Sequence, residues 1–151
     1  MNKLGIAVLL LLSTIVLYAA PAPAGWKTVT DRKKTCQFSV PADWVPDTLL
    51  IGTANSADKK SSIAVHGNEQ SLAQVKPMVQ QMIPPDKTIE DNGKRYWYAY
   101  KHLANGSDLP GTNWYVAVSI PTGVCAAQVS FKDPAGEAVA KQIVDSITAA
   151  K

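Results

Sequence analysis

The chain has 151 residues, the length of one ordinary domain, so separate cofactor and substrate domains are not expected. Hydrophobic residues make up 46% and charged residues 18%, a balance that excludes a disordered chain, and two cysteines are too few for a fold built on disulfides. A formal net charge of +3 does not indicate the strongly basic face of a nucleic-acid-binding protein, so we expect no nucleic-acid partner.

The first segment has the order typical of a secretory signal peptide. Lys3 supplies a positive charge, residues 4–17 are almost entirely apolar, and small residues follow at Ala22 and Ala24. We predict cleavage after Ala24, which removes residues 1–24. An uncleaved anchor is the alternative, but an apolar run of about 14 residues is shorter than the roughly 20 that span a bilayer. We therefore expect a secreted or periplasmic protein without a stable membrane anchor after cleavage.

Cys36 and Cys125 are the two cysteines of the chain. In an oxidising compartment the simplest expectation is a disulfide between them, and two buried free thiols are the alternative. Neither cysteine belongs to a Cys-x-x-Cys pair or a recognisable Cys/His signature, so we expect no catalytic thiol.

Alternating apolar residues, with Cys36 and Phe38 on one face, predict a first strand over residues 35–40. We place a single α+β domain at residues 35–151, preceded by an N-terminal extension at residues 25–34. Further strands are predicted in chain order at residues 49–53, 61–65, 88–90, 94–103, 113–120 and 124–132. Polar turns separate them, including an Asn-Gly turn at residues 92–93 and a loop over residues 104–112.

A first helix is predicted after the strands at residues 49–53 and 61–65. Ser71 and Gln74 have the spacing of a capping box, and apolar residues then recur at helical spacing up to Ile83. Pro77 conflicts with this pattern, because a proline inside a helix costs about 3 kcal/mol. We expect the helix either to begin near Lys76 or to kink there.

A second helix closes the chain. Asp133 is its predicted cap, and an apolar stripe along it must pack against a sheet. The stripe consists of Val139, Ala140, Ile143, Val144 and Ile147. The predicted fold class is therefore α+β, with an antiparallel sheet of about six to seven strands packed against two helices.

The order of these elements resembles a known group of proteins. A strand ending at Val40 is followed by Pro41, two spacer residues and Trp44, and the closing helix ends in the run from Ile143 to Ile147. This resembles the PsbP-like and DcrB-like group, exported or chaperone-like domains named after an extrinsic subunit of photosystem II. The resemblance implies an α/β/α sandwich around a central antiparallel sheet, and a role in binding or assembly rather than catalysis. It implies no catalytic residues.

One strand face carries a candidate binding groove. Tyr96, Tyr98, Tyr100 and His102 alternate along the strand at residues 94–103 and therefore share a face. A row of aromatic rings on a twisted sheet could form a groove for a partner protein or a small apolar ligand. Packing of the same rings in the core is the alternative.

Other chemistry-bearing residues do not form a recognisable site. Ser56 and Lys59 have a Ser-x-x-Lys spacing but lie in a polar turn without the other motifs of such enzymes. His66 and His102 are isolated, whereas zinc sites usually contain a close pair of ligands. We therefore predict no catalytic residues, no metal and no cofactor.

Two short basic runs remain, Arg32 to Lys34 and Lys59 to Lys60. Such runs could touch phosphates or anionic lipid, but they are more often solvated loops.

The sequence favours an exported, non-enzymatic binding or assembly domain, whose partner is an unknown protein or a small apolar ligand. One alternative is a small secreted hydrolase that uses unrecognised residues from the loops at residues 54–60 and 104–112. The other is a structural envelope protein without a specialised surface.

Overall fold

The computed structural model describes residues 20–151, so most of the predicted leader, residues 1–19, lies outside the described residues. The described elements are, in chain order, β1 (Lys27–Thr30), β2 (Cys36–Val40), β3 (Val45–Pro46), β4 (Thr53–Asn55), β5 (Ser61–Asn68), α1 (Leu72–Met82), β6 (Lys87–Asp91), β7 (Arg95–His102), β8 (Asp108–Ile120), β9 (Gly123–Phe131), α2 (Gly136–Asp145) and β10 (Thr148–Ala149). Within residues 20–151, no helix is both long and apolar enough to cross a membrane.

The strands form two sheets, in which every pairing is antiparallel. The main sheet has seven strands in the order β3-β4-β5-β9-β8-β7-β6, and the small sheet has three strands in the order β1-β2-β10. The predicted fold class, an α+β fold with a six- to seven-stranded antiparallel sheet and two helices, is confirmed. The small sheet was not predicted from the sequence. The sequence pattern placed its central strand, β2, in one sheet with all the other strands.

Both faces of the main sheet are covered. On one face, α1 packs against side chains of β7, β8 and β9, while α2 and the small sheet pack against the other face. This division follows from the strand period of two, which sends successive side chains of β7 to opposite faces. Trp44 and Phe131 are buried on the α2 side, whereas Leu72 and Val79 of α1 are buried on the other. The result is a layered sandwich.

The predicted disulfide is present. Cys36 of β2 is bonded to Cys125 of β9, and both residues are fully buried. The bond therefore joins the central strand of the small sheet to a central strand of the main sheet, across the core that the two sheets share.

The predicted N-terminal extension, residues 25–34, contains a strand. β1 pairs with β2 along its whole length, and Val29 is buried in the core. The folded unit therefore begins before residue 35. The sequence pattern missed β1 because Val29 is its one buried side chain, which is too little for a visible alternation.

The segment predicted as a strand at residues 49–53 is mostly a turn. The strand β4 begins at Thr53, and residues 49–51 are exposed. The hairpin with β5 exists, but its register starts later than predicted. Consecutive apolar residues suggested a buried strand, whereas here no layer covers them.

Three further boundaries differ from the prediction. The helix α1 begins at Leu72 and runs through Pro77, with Gln74 Oε1 accepting the Ser71 N–H at 2.9 Å. The predicted loop at residues 104–112 ends early, because β8 begins at Asp108. The helix α2 begins at Gly136, whose N–H lies 3.3 Å from the carboxylate of Asp133.

Candidate functional site

The tyrosine face predicted as a groove lies in the core. The exposed fractions of Tyr96, Tyr98 and Tyr100 are 1%, 0% and 6%, because α1 lies across them. The rings of Tyr98 and Tyr115 are 5.4 Å apart, an ordinary aromatic contact in a core. No open groove therefore lies along these rings, which corrects the expectation for this face. The apolar stripe of α1 was the signal that could have indicated it, since that stripe also required a sheet face.

Two phenol groups of this face have hydrogen-bond partners within the protein. Tyr98 donates a hydrogen bond to the carbonyl oxygen of Ile83 at 2.8 Å, and Gln80 Nε2 donates one to the Tyr96 oxygen at 2.7 Å. Burial raises the pKa of Tyr98 and Tyr100 above that of a free phenol, and it raises the pKa of Tyr115 to about 12. These groups remain neutral at physiological pH.

His102, the fourth residue of the predicted groove, lies apart from the buried rings. It is exposed near the end of β7 and contacts the carboxylate of Asp108 at the start of β8. An irregularity of the pairing between Tyr100 and His102 marks the point where the strand leaves the core. His102 is therefore a strand-end residue here.

A cleft of about 520 Å³ lies beside the end of α2 and the ends of β6, β7 and β8. Its apolar wall includes Val118, Ile120 and Ile147, and its polar wall includes Arg95. Ala20, from the end of the predicted leader, lies at the same cleft.

The positive charge of Arg95 in this cleft is already neutralised. Arg95 Nε donates to Glu90 at 2.8 Å, and its Nη1 donates to Asp145 at 2.7 Å. Partial burial lowers the pKa of Arg95, but the hydrogen bonds and charges of the two carboxylates more than compensate, so its pKa is raised overall. A ligand anion would have to displace one of these carboxylates to reach the Arg95 guanidinium. The cleft therefore has the electrostatics of a structural ion-pair network.

A second surface is more unusual. Leu49, Leu50 and Ile51, which we call the apolar loop, are 80%, 64% and 49% exposed, and Val45 on the neighbouring β3 is also exposed. The loop connects β3 and β4 at the edge of the main sheet. Single exposed aliphatic residues are common on proteins, but three consecutive ones form a patch that usually marks a contact surface.

The shape of the apolar loop is fixed by hydrogen bonds. The carboxylate of Asp47 accepts the N–H groups of Leu49 and Leu50, both at 2.8 Å, and Thr53 N–H donates to the Leu50 carbonyl at 3.0 Å. The two N–H bonds hold the pKa of Asp47 below its usual value. The aliphatic side chains are therefore exposed by an ordered turn.

One of the two predicted basic runs lies beside this loop. Arg32, Lys33 and Lys34, which we call the basic turn, are all exposed, and none of them forms an ion pair with the residues described. Arg32 Nη2 approaches the Leu49 carbonyl oxygen at 3.4 Å. In the other run, Lys60 is paired with Asp133 at 3.8 Å.

The buried carboxylate of Asp31 fixes the basic turn in place. It is 5% exposed and accepts three backbone N–H groups, from Thr35 at 2.7 Å, Cys36 at 2.9 Å and Gly67 at 3.1 Å. Gly52, at the base of the apolar loop, packs against Asp31, because a Cβ on Gly52 would lie 3.2 Å from the Asp31 Cα. The basic turn and the apolar loop therefore form one continuous surface.

The remaining candidate residues take structural positions. The Ser56 hydroxyl donates to Asp58 at 2.7 Å and accepts the Ser61 N–H at 2.9 Å, so it closes the β4–β5 turn. His66 is exposed on β5. In the part of the chain from residue 20 onward, no group of three or more His, Cys, Asp or Glu side chains is arranged to hold a metal.

The sequence pattern missed the apolar loop because it assigned residues 49–53 to a strand. A signal was present: Asp47 precedes the loop and Gly52 ends it, and both residue types favour turns. Gly52 adopts a φ of +96°, and a Cβ there would lie 2.5 Å from the Val65 carbonyl oxygen, so the turn requires glycine.

Comparison with known proteins finds a likeness in structure but none in sequence. The sequence matches no protein-family model and no curated protein. The structure is similar to the solution structure of cyanobacterial PsbP (CyanoP) from Synechocystis sp. PCC 6803, with a TM-score of 0.49 and 12% identity, over 82% of this chain and 92% of that chain. This is the group that the order of elements resembles, but likeness at this level says nothing about what the chain binds.

Proposed function

We propose that the chain is an exported, non-enzymatic binding or assembly domain, and that the apolar loop with the basic turn is its contact surface. The observation that carries this proposal is the exposure of Leu49, Leu50 and Ile51 on a turn held by Asp47. Exposing aliphatic side chains in an ordered conformation forgoes the free energy of burying them, which a contact with a partner would recover.

Export is supported by the bond between Cys36 and Cys125, because structural disulfides persist mainly in oxidising compartments. The predicted leader at residues 1–24 points to the same route. The tyrosine face is not part of this proposal, since α1 covers it.

A capture experiment tests the proposed surface. The chain, expressed with its own leader and purified from the exported fraction, serves as bait alongside the double variant Leu49→Ser/Leu50→Ser. The matched control is Met78→Ser/Met82→Ser, which removes two exposed apolar side chains from α1. We expect partners retained by the wild type and the control to be lost with the loop variant. The same retention by all three proteins would reject the loop as the contact surface for a protein partner.

A further inference from the structure

We propose that the apolar loop and the basic turn together bind the surface of an anionic phospholipid bilayer. The aliphatic side chains of the loop enter the interfacial region, and the basic turn lies against the headgroup phosphates. This inference rests on the proposed function and deepens it by naming the class of partner.

The apolar part of the surface has the form expected for partial insertion. Leu49, Leu50 and Ile51 follow one another at the end of a hairpin, and Val45 is exposed beside them. They lie on the turn at the sheet edge, outside the cleft of about 520 Å³ beside α2. Membrane-surface binding increases with the apolar area that enters the interface and with attraction to anionic lipids.

The charged part of the surface supplies that attraction. Arg32, Lys33 and Lys34 are exposed and unpaired among residues 20–151, so their charges are available to a partner. Two carboxylates adjoin this surface, Asp47 before the apolar loop and Asp31 before the basic turn, and each accepts backbone N–H groups. The three basic side chains outnumber them, which leaves an excess of positive charge. Each basic residue near an anionic bilayer strengthens binding about fivefold.

The two parts are held together before any partner arrives. Asp31 anchors the backbone next to the basic turn, and Gly52 packs against Asp31 at the base of the apolar loop. A surface that is already ordered loses little conformational entropy on binding. The charge also disfavours a second copy of this chain as the occupant, because a twofold contact would place one basic turn against another.

Vesicle co-sedimentation tests the inference. The purified exported chain is mixed with vesicles of phosphatidylglycerol and phosphatidylcholine in equal parts, or with phosphatidylcholine alone. We expect salt-sensitive binding to the mixed vesicles and much weaker binding to phosphatidylcholine. Lys33→Gln/Lys34→Gln should lower the partition coefficient about 25-fold, from about fivefold for each charge. Leu49→Ser/Leu50→Ser should lower it at least about tenfold.

Two controls separate this surface from other causes of binding. Lys59→Gln/Lys60→Gln removes the same charge elsewhere, and Met78→Ser/Met82→Ser removes exposed apolar side chains of α1, so both should bind like the wild type. Every variant is expressed with the same leader and exported in the same way, so differences between variants report the loop and the turn. The Lys33→Gln/Lys34→Gln change lies on exposed side chains, and an unchanged thermal midpoint would show that its fold is intact.

The outcomes are distinct. Absence of binding to anionic vesicles, or equal binding by all variants, would overturn the lipid inference. If protein capture still depended on the apolar loop in that case, the proposed function would stand with a protein partner. If neither capture nor vesicle binding depended on the loop, both proposals would fail.

Discussion

The phenol of Tyr98 on β7 donates a hydrogen bond of 2.8 Å to the backbone carbonyl of Ile83, the C-cap residue that directly follows α1. Carbonyl groups at the C-terminal end of a helix have no hydrogen-bond donor within the helix. Tyr98 supplies a donor to one of them from the sheet that α1 covers. The same bond fixes the end of α1 over the tyrosine face. Tyr98 is thus a core residue with a specific polar role.

Truncation of Tyr98 should destabilise the fold. Tyr98→Phe leaves the Ile83 carbonyl without its partner and should lower the free energy of unfolding by about 1–2 kcal/mol. Tyr98→Ala also removes a buried ring and should cost about 3–5 kcal/mol. Urea denaturation followed by circular dichroism measures both. His102→Ala, on an exposed residue of the same strand, should change the value by less than about 0.5 kcal/mol. Unchanged midpoints for both Tyr98 variants would place the ring outside the core.

The buried phenols should ionise late. Burial raises the pKa of Tyr98, Tyr100 and Tyr115, the last to about 12, whereas an unfolded tyrosine has a pKa of about 10. The pKa of these phenols is higher in the folded state than in the unfolded state. Their contribution to the free energy of unfolding is therefore complete below a pH of about 10 and is lost as the pH rises through the folded-state pKa values. Phenolate absorbance should therefore rise later in the native chain than in urea. A native titration centred on pH of about 10 would contradict the burial.

Removal of the disulfide should weaken the attachment of the small sheet. Cys36 and Cys125 are 89 residues apart. Their bond therefore lowers the entropy of the unfolded chain strongly, which stabilises the fold by about 4.6 kcal/mol in the chain-entropy model. The double variant Cys36→Ala/Cys125→Ala should unfold at a correspondingly lower urea concentration. A thiol-reactive dye in denaturant, without reductant, should label the wild type only if the bond is absent. Equal urea midpoints would show that the bond contributes little.

Removal of the Asp31 carboxylate should disturb the basic turn. Asp31→Ala leaves one buried and two partly buried backbone N–H groups without their acceptor, and we expect a loss of about 2–3 kcal/mol in the free energy of unfolding. Hydrogen exchange at Thr35 and Cys36 should accelerate at the same time. Asp43→Ala, which removes an exposed carboxylate, is the control and should have little effect. Unchanged exchange at both amides would exclude the proposed anchoring.

The conformation of the apolar loop should depend on pH in the acid range. Backbone N–H groups of Leu50 and Leu49 lower the pKa of Asp47, which for a free aspartate is about 3.9. The pKa of Asp47 is lower in the folded state than in the unfolded state. The ionised carboxylate therefore stabilises the folded loop above a pH of about 4, and this stabilisation is lost as the pH falls through the lowered pKa. Amide resonances of Leu49 and Leu50 should shift with a midpoint below 3.9. In Asp47→Asn these shifts should disappear, and their persistence would assign them to another group.

Local patterns predicted much of this fold. The alternation through Tyr96, Tyr98 and Tyr100 placed these rings on one face, and the spacing up to Ile83 identified α1 despite Pro77. These predictions succeeded because side chains two apart on a strand, or three and four apart on a helix, share a face whatever the rest of the chain does. The pairing of the two cysteines followed from composition and compartment alone.

The placement of layers could not be derived in this way. The same aromatic alternation is compatible with an open groove or a covered core, and only the packing of α1 against β7 decided between them. Conversely, the consecutive apolar residues 49–51 suggested a buried strand, but no layer of the described fold reaches them.

The sequence by itself determined the two helices, most of the strands, the disulfide partners and the antiparallel α+β class, because periodicity and turn chemistry act between residues close along the chain. The tertiary structure alone decided that the tyrosines are covered and that the apolar loop lies exposed beside the basic turn. Burial and proximity depend on contacts such as Asp31 with Gly67, between residues far apart in sequence, and no local pattern encodes them.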